Sequence, residues 1–201
     1  MESLSADTFD EAYYRRYYFD KKTNVADAQH IERLGDYVCA GLKYLRVPVR
    51  RVLDVGCGIG QWRSIVARHF PKASYHGVEY SEFLCERYGW ERGSVVDYRS
   101  RKPFDFVICQ GVLAYLSPAD LKRAMRNLGT LSEGALYLEV VTLEDYERDI
   151  VDEELTDPLL FRHRAEVYRR GLSRQFREIG GGVWLNRRAD LPVFSLECAS
   201  D

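Results

Sequence analysis

Alternating glycines mark the stretch of the chain whose residue types could do chemistry. Gly56, Gly58 and Gly60 follow the apolar run at 52–55, and a helical pattern begins at Gln61. Glycine allows positive φ angles and removes side chains from a turn, so the backbone can approach a ligand that faces the free N–H groups of the next helix. The spacing differs from the G-x-G-x-x-G and G-x-x-x-x-G-K-[ST] patterns. It predicts a strand, a tight turn and a helix beside a nucleotide-like ligand.

Acidic residues stand where two later strands are predicted to end. The strand at 73–80 carries Glu79, at about the distance from the glycines at which a βαβ unit places a carboxylate on a ribose. The strand at 94–98 carries Asp97. Ligands of open α/β sheets bind at the carboxyl ends of the strands, so we expect these side chains to meet at one edge.

Strands alternate with helices along most of the chain. Apolar periodicity, caps at Thr8 and Ser81 and breaks at proline predict helices at 8–20, 27–45, 61–70, 81–88 and 118–131. The predicted strands are 49–55, 73–80, 94–98, 104–110 and 135–141, followed by 180–186 and 191–197 around a turn at 187–190. We therefore predict an α/β fold: a Rossmann-like, doubly wound, mostly parallel seven-stranded sheet with a C-terminal antiparallel hairpin.

The sequence V-L-D-V-G-C-G-I-G at 52–60 resembles the first motif of the class I S-adenosylmethionine-dependent methyltransferases of the small-molecule type. The resemblance is specific over 47–142 and weaker over the hairpin. It implies transfer of a methyl group from S-adenosylmethionine to a small molecule by in-line displacement, with S-adenosylhomocysteine as product. The cofactor contacts it implies are Asp54, Gly56, Cys57, Gly58, Gly60, Glu79, Tyr80, Asp97, Tyr98, Gln110 and Val112. Glu79 would hold the ribose and Asp97 the adenine amino group.

The acceptor side is marked less clearly. The segment at 109–116 lacks the Asn/Asp-Pro-Pro-aromatic sequence of base-modifying amino methyltransferases and resembles small-molecule enzymes, with Tyr115 in place of a histidine. The candidate bases are Tyr115, His163 and Tyr168, and the candidate substrate contacts are Tyr14, Tyr18, Tyr115 and His163. Each of these side chains has a structural alternative, as does the aromatic N-terminal run, which can pack as a flap. The catalytic base therefore stays open.

We expect a single domain over 1–201. It comprises an N-terminal helical cap at 1–46, a cofactor-binding core at 47–142, a substrate-covering segment at 143–178 and the hairpin at 179–201.

Composition limits the setting in which the protein works. Net charge is -2, five cysteines are scattered without metal-ligand spacing, and no signal peptide or membrane span is predicted. We expect a cytoplasmic monomer or homodimer that uses no metal, has a small-molecule partner and binds neither membrane nor nucleic acid. Two alternatives remain: an RNA or protein acceptor facing the aromatic run at 13–19 and the arginines at 162–177, or a non-catalytic cofactor-binding scaffold.

Overall fold

The computed structural model describes residues 4–20 and 28–199, and within them seven strands form one sheet. The strands are β1 (Arg51–Val55), β2 (Ser74–Glu79), β3 (Glu91–Arg92), β4 (Phe104–Gln110), β5 (Ser132–Glu139), β6 (Phe176–Gly180) and β7 (Val183–Asn186). Their order across the sheet is β3-β2-β1-β4-β5-β7-β6. All pairs among the first five strands are parallel, and β7 runs antiparallel to both of its neighbours. The predicted α/β fold is confirmed.

Seven α-helices occur in the same residues. They are α1 (Glu11–Tyr14), α2 (Ala28–Tyr44), α3 (Gln61–His69), α4 (Glu82–Tyr88), α5 (Pro118–Leu131), α6 (Leu143–Glu147) and α7 (Ala165–Leu172). A π-helical turn at Arg15–Phe19 extends α1. In this part of the chain no helix is long and apolar enough to span a membrane.

Alternating side chains of the buried strands pack against helices on both faces of the sheet. One face covers Leu53 and Val107 with α5 and α7, and the other covers Val52, Phe106 and Ile108 with α2 and α3. Strands buried on both faces are expected to be continuously apolar, as β4 is over residues 106–109.

The strand order reverses beside β1. The chain leaves β1 toward β2 on one side, whereas β4 lies on the other side. Such a reversal opens a crevice at the carboxyl ends of the two central strands, where ligands bind in open α/β sheets. The glycine loop lies at this crevice.

Several predicted elements match the structure closely. Strand 104–110 and helix 118–131 have the predicted bounds, and Ser81 caps α4 by accepting a hydrogen bond from the Leu84 N–H. The predicted start of α2 at residue 27 lies outside the described residues. The cap predicted at Thr8 is wrong: Asp10 caps α1 by accepting a hydrogen bond from the Tyr13 N–H.

The strand predicted at 94–98 is also wrong. The third strand is the short pair Glu91–Arg92, and the chain then turns, since the Asp97 and Tyr98 N–H groups both donate to the Ser94 carbonyl. The apolar residue Val95 is buried in the core without joining the sheet. A short apolar run is therefore satisfied here by burial in a turn, which periodicity alone does not distinguish from a strand.

The C-terminal hairpin occurs earlier in the chain than predicted. It joins β6 to β7 through a turn at Gly181 and Gly182, whose φ angles of 58° and 77° are readily adopted by glycine. Residues 191–197 form no strand and end in a 3₁₀ turn at Ser195–Glu197. Pro192 cannot donate to a strand ladder, and the Leu196 side chain is fully exposed.

Candidate active site

The glycine loop presents its backbone to the carboxyl edge of the sheet. Gly56 and Gly58 have φ angles of 75° and 55°. A Cβ atom added at Gly56 would lie 2.3 Å from a methyl group of Val112, whereas one added at Gly58 would meet no atom within 4 Å. The loop therefore excludes a side chain at Gly56 for packing reasons and leaves open space over Gly58.

Gly60 has a different role in the loop. It is the N-cap residue of α3, with a φ of 80°, and an added Cβ atom would lie 2.6 Å from the Trp90 ring. The Trp90 indole N–H donates to the Gly58 carbonyl at 3.0 Å. Trp90 thus supports the loop from below, a role that the sequence analysis missed.

Glu79 ties the end of β2 to the glycine loop. Its Oε2 accepts the Gly58 N–H at 2.7 Å, and its Oε1 accepts the N–H groups of Tyr80 and Ser81 at 2.8 and 3.0 Å. A carboxylate offers about four acceptor positions, so one remains for a ligand hydroxyl. Burial raises the pKa of Glu79, and the three backbone hydrogen bonds oppose that shift.

Asp54 lies below the loop and is only 2% exposed. The Tyr75 hydroxyl donates to its Oδ2 at 2.5 Å. Burial, with a smaller contribution from the charge of Glu79, raises the pKa of Asp54 to about 7, and the Tyr75 hydrogen bond opposes the increase.

The crevice holds two adjoining cavities. The first, of about 280 Å³, is lined by the predicted residues Gly56, Gly58, Glu79, Tyr80, Asp97, Gln110 and Val112. Arg123, which is paired with Asp120 at 2.9 Å, lies at its edge. Tyr14, Tyr18 and Tyr115 complete the wall opposite the glycines.

The second cavity, of about 290 Å³, lies on the other side of the glycine loop and shares several wall residues with the first. Its wall combines carboxylates with aromatic rings: Asp54, Glu139, Asp157, Tyr13, Tyr17, Tyr18, Trp62 and Tyr115. Gln110 divides the space, since it accepts the Trp62 indole N–H at 2.6 Å and donates to Glu139 at 3.1 Å. Considered together, the two cavities reach the volume typical of small-molecule sites.

A chain of hydroxyl groups joins three separate parts of the sequence over these cavities. The Tyr115 hydroxyl donates to Asp157 Oδ2 at 3.1 Å and lies 2.7 Å from the Tyr13 hydroxyl, which therefore donates to Tyr115. Phe9 packs edge-on against Tyr115 at 5.3 Å between ring centroids. The aromatic N-terminal run thus packs over the cavities, with Tyr13 and Tyr17 among the residues that line the second one; below it is called the N-terminal flap.

Two candidate bases lie outside the cavities. The His163 Nε2–H donates to the Leu116 carbonyl at 3.0 Å, and the ring stacks on Phe161. Tyr168 is buried in the core against His163, and its hydroxyl has no hydrogen-bond partner. Since neither residue is among the described lining residues, the structure separates both from the cavities.

Of the other predicted cofactor contacts, Cys57 lines a cavity and Tyr98 does not. Cys57 lines the second cavity, and burial raises the pKa of its thiol, so the group is held as an unreactive thiol. Tyr98 lines neither cavity and donates its hydroxyl to Glu91 at 3.0 Å. Within the described ranges no group of three or more His, Cys, Asp and Glu side chains is placed to hold a metal ion.

Asp157 is the most informative residue that the sequence analysis missed. It is 5% exposed, and its Oδ1 accepts the Leu159 N–H at 2.9 Å. It lies in the segment predicted to cover the substrate, but one acid among many there gives no signal of its own. Only folding brings it to Tyr115.

The sheet is mixed and mostly parallel, its glycine loop lies where the strand order reverses, and two cavities lie beside that loop. Together these features define a nucleotide-binding α/β enzyme fold. The family model described as "Methyltransferase domain" matches residues 13–184. The chain belongs to this methyltransferase family.

Two curated relatives match part of the chain. Trans-aconitate 2-methyltransferase of Pseudomonas paraeruginosa is 31% identical over 91 residues, which are 42% of this chain and 33% of the relative. Malonyl-[acyl-carrier protein] O-methyltransferase of Legionella pneumophila is 34% identical over 77 residues, 36% of this chain and 26% of the relative. The matches thus span about a third or less of each relative's length.

A solved structure shows the same fold over most of the chain. Magnesium protoporphyrin IX methyltransferase from Synechocystis PCC 6803, crystallised with bound S-adenosylmethionine, is 20% identical with a TM-score of 0.57. The superposition covers 88% of each chain.

Proposed function

We propose that this protein transfers a methyl group from S-adenosylmethionine to a small-molecule acceptor. The observation that carries the proposal is the pairing of open space over Gly58 with the buried carboxylate of Glu79, which retains an acceptor position toward the same cavity. A Cβ atom at Gly58 would fill this cradle. The residues present therefore fit an adenosyl ligand lying against bare backbone.

The cavity wall suggests how the ligand would be held. Glu79 would accept a ribose hydroxyl, and Asp97 with the neighbouring Val96 would border the adenine. Asp54, Gly56 and Gln110 would border the methionine end. When bound, the cofactor supplies a methyl group already activated by a positively charged sulfur.

The remaining work of the chain is to orient the acceptor and exclude water. Alignment of reacting atoms can supply about 7–11 kcal/mol of barrier lowering. The N-terminal flap and the loop carrying Asp157 cover the second cavity, and the Tyr13–Tyr115–Asp157 hydrogen bonds join them. A partly covered space of this size supports a small acceptor rather than RNA or protein.

We also propose that the protein acts in the cytoplasm as a monomer or homodimer, without nucleic acid. The five cysteines are all free thiols, which suits a reducing compartment, and the net charge of -2 gives no attraction to phosphate.

Calorimetric titration with S-adenosylhomocysteine tests the proposal, because the demethylated product binds without an acceptor. We expect micromolar binding, and none for NAD under the same conditions. A protein that prefers NAD, or binds neither ligand, would refute the proposed cofactor. A protein that binds the adenosyl ligand but methylates no compound in a broad acceptor screen would instead support the scaffold alternative.

A further inference from the structure

The second cavity carries an excess of negative charge. Asp54, Glu139 and Asp157 line it, and the described lining residues include no arginine or lysine. His30, at the exposed start of α2, is the one described side chain there that could become positive. An anionic acceptor would therefore meet the carboxylates of Glu139 and Asp157 and no fixed cation, and Asp54, whose pKa is raised to about 7, would add its charge only when ionised.

The aromatic side chains of this cavity add to its preference for positive charge. Tyr13, Tyr17, Tyr18 and Tyr115 present ring surfaces and hydroxyl oxygens. Faces of aromatic rings attract cations, most strongly where water is excluded. Burial, followed by the charges of Glu79, Asp157 and Glu139, raises the pKa of Tyr18 to about 12.

Asp157 is the acidic group best placed for the acceptor rather than the cofactor. It comes from the loop between α6 and α7, and it reaches the cavity beside Tyr115 on the flap side. Asp54 and Glu79, by contrast, belong to the strand ends that hold the glycine loop. After accepting the Leu159 N–H, the Oδ1 atom of Asp157 keeps an acceptor position, whereas its carboxylate also faces the Tyr115 and Tyr13 hydroxyls.

From this arrangement we infer that the acceptor is an amine with an apolar or aromatic body, which is bound as its ammonium form and held by Asp157. The inference rests on the proposed methyl transfer and names its substrate class. The ammonium group first gives one proton to the Asp157 carboxylate, which passes it to solvent. The free nitrogen lone pair then forms the N–C bond as the carbon–sulfur bond breaks, and that electron pair stays on sulfur.

The test uses binding as well as turnover. The protein is first saturated with S-adenosylhomocysteine and then titrated with matched probes of one scaffold: 2-phenylethylamine, 2-phenylethanol and 3-phenylpropionate. We expect the amine to bind at least tenfold more tightly than the carboxylate, with the alcohol between them. A screen of matched amines and acids with S-adenosylmethionine should show methyl transfer to amines only.

Asp157→Asn removes the charge; its amide oxygen can still accept the Leu159 N–H, while its amide nitrogen would donate to the Tyr115 hydroxyl instead of accepting from it. It should weaken amine binding at least tenfold and leave the affinity for S-adenosylhomocysteine within twofold. Asp152→Asn is the matched control, since Asp152 is exposed in the same loop, accepts the Glu154 N–H at 2.9 Å and lines neither cavity. It should change neither affinity.

Three results would overturn the inference. The first is that the carboxylate probe binds as tightly as the amine probe. The second is that the amine probe fails to bind a protein that does bind S-adenosylhomocysteine. The third is that Asp157→Asn weakens the binding of S-adenosylhomocysteine as much as the binding of the amine. The last result would assign Asp157 to the cofactor. Failure of S-adenosylhomocysteine itself to bind the unaltered protein would overturn the proposed function as well, and it is recognised separately because that titration comes first.

Discussion

The substitution Gly58→Ala tests whether a ligand lies against the glycine loop. Gly58 has a φ of 55°, and an added methyl group would point into open space bordering both cavities. Gly89 offers a matched control. It has a φ of 72°, ends α4 and likewise has no atom within 4 Å of an added Cβ, but it lies outside both cavities.

The two substitutions should lower the free energy of unfolding equally, but only Gly58→Ala should lower the affinity for the ligand. An alanine in the left-handed region costs about 1–2 kcal/mol, so both variants should lose similar stability in urea unfolding. If a ligand packs on the Gly58 backbone, the extra methyl group overfills that contact by about 1–3 kcal/mol. This corresponds to a loss of roughly 5- to 150-fold in affinity for S-adenosylhomocysteine.

Calorimetry on both variants checks the prediction. Gly89→Ala should bind S-adenosylhomocysteine like the unaltered protein. Equal affinities of Gly58→Ala and Gly89→Ala for this ligand would show that the space over Gly58 stays empty in the complex, and the assignment of the first cavity to the cofactor would be refuted.

Three further predictions follow from buried polar groups. Glu79→Ala should weaken the binding of S-adenosylhomocysteine by about 2–4 kcal/mol, because a charged acceptor is lost and the glycine loop loses its anchor. The control is Glu86→Ala at an exposed position of α4, which should leave this binding unchanged. If calorimetry finds the two variants alike, Glu79 does not belong to the site. Because the folded-state pKa of Asp54 is raised above its unfolded value, its contribution to the free energy of unfolding is full below pH 4 and falls as pH rises to about 7. Between pH 5 and pH 8 the contribution should fall by about 2.5 of its total of about 4 kcal/mol, so urea unfolding at these two pH values should show a smaller pH dependence for Asp54→Asn; an unchanged dependence would contradict the raised pKa. Tyr168→Phe should keep activity and stabilise the fold by about 1 kcal/mol, since it removes an unpartnered buried hydroxyl, whereas loss of turnover in a stable variant would restore Tyr168 as a candidate base.

The N-terminal flap is joined to the body of the protein by hydrogen bonds and aromatic contacts. The flap reaches the core through Tyr13 and Phe9, and the Ser81 hydroxyl donates to the Phe9 carbonyl at 2.5 Å. Phe9 also packs against Tyr80, Tyr14 stacks on Phe83, and the Tyr14 and Tyr17 side chains are buried.

The sequence alone determined the framework that holds the site. The glycine spacing at 56, 58 and 60 specifies positive φ angles that most other residues resist, and periodicity specified β4 and α5 to the residue. These signals are local: each depends on steric limits or on one buried face, and both are written in neighbouring residues. The position of Glu79 at a strand end could be predicted for the same reason.

Only the tertiary structure decided which side chains share a cavity. Tyr13, Tyr115 and Asp157 lie far apart in the chain, and no spacing rule relates them, because their contact depends on how the flap and the α6–α7 loop pack over the sheet. The same packing places His163 and Tyr168 outside the described walls of the two cavities, although their residue types suit a base. Chemistry-bearing residue types can be read from sequence, but hydrogen-bond geometry and burial, which decide whether they act, are properties of distant segments brought together.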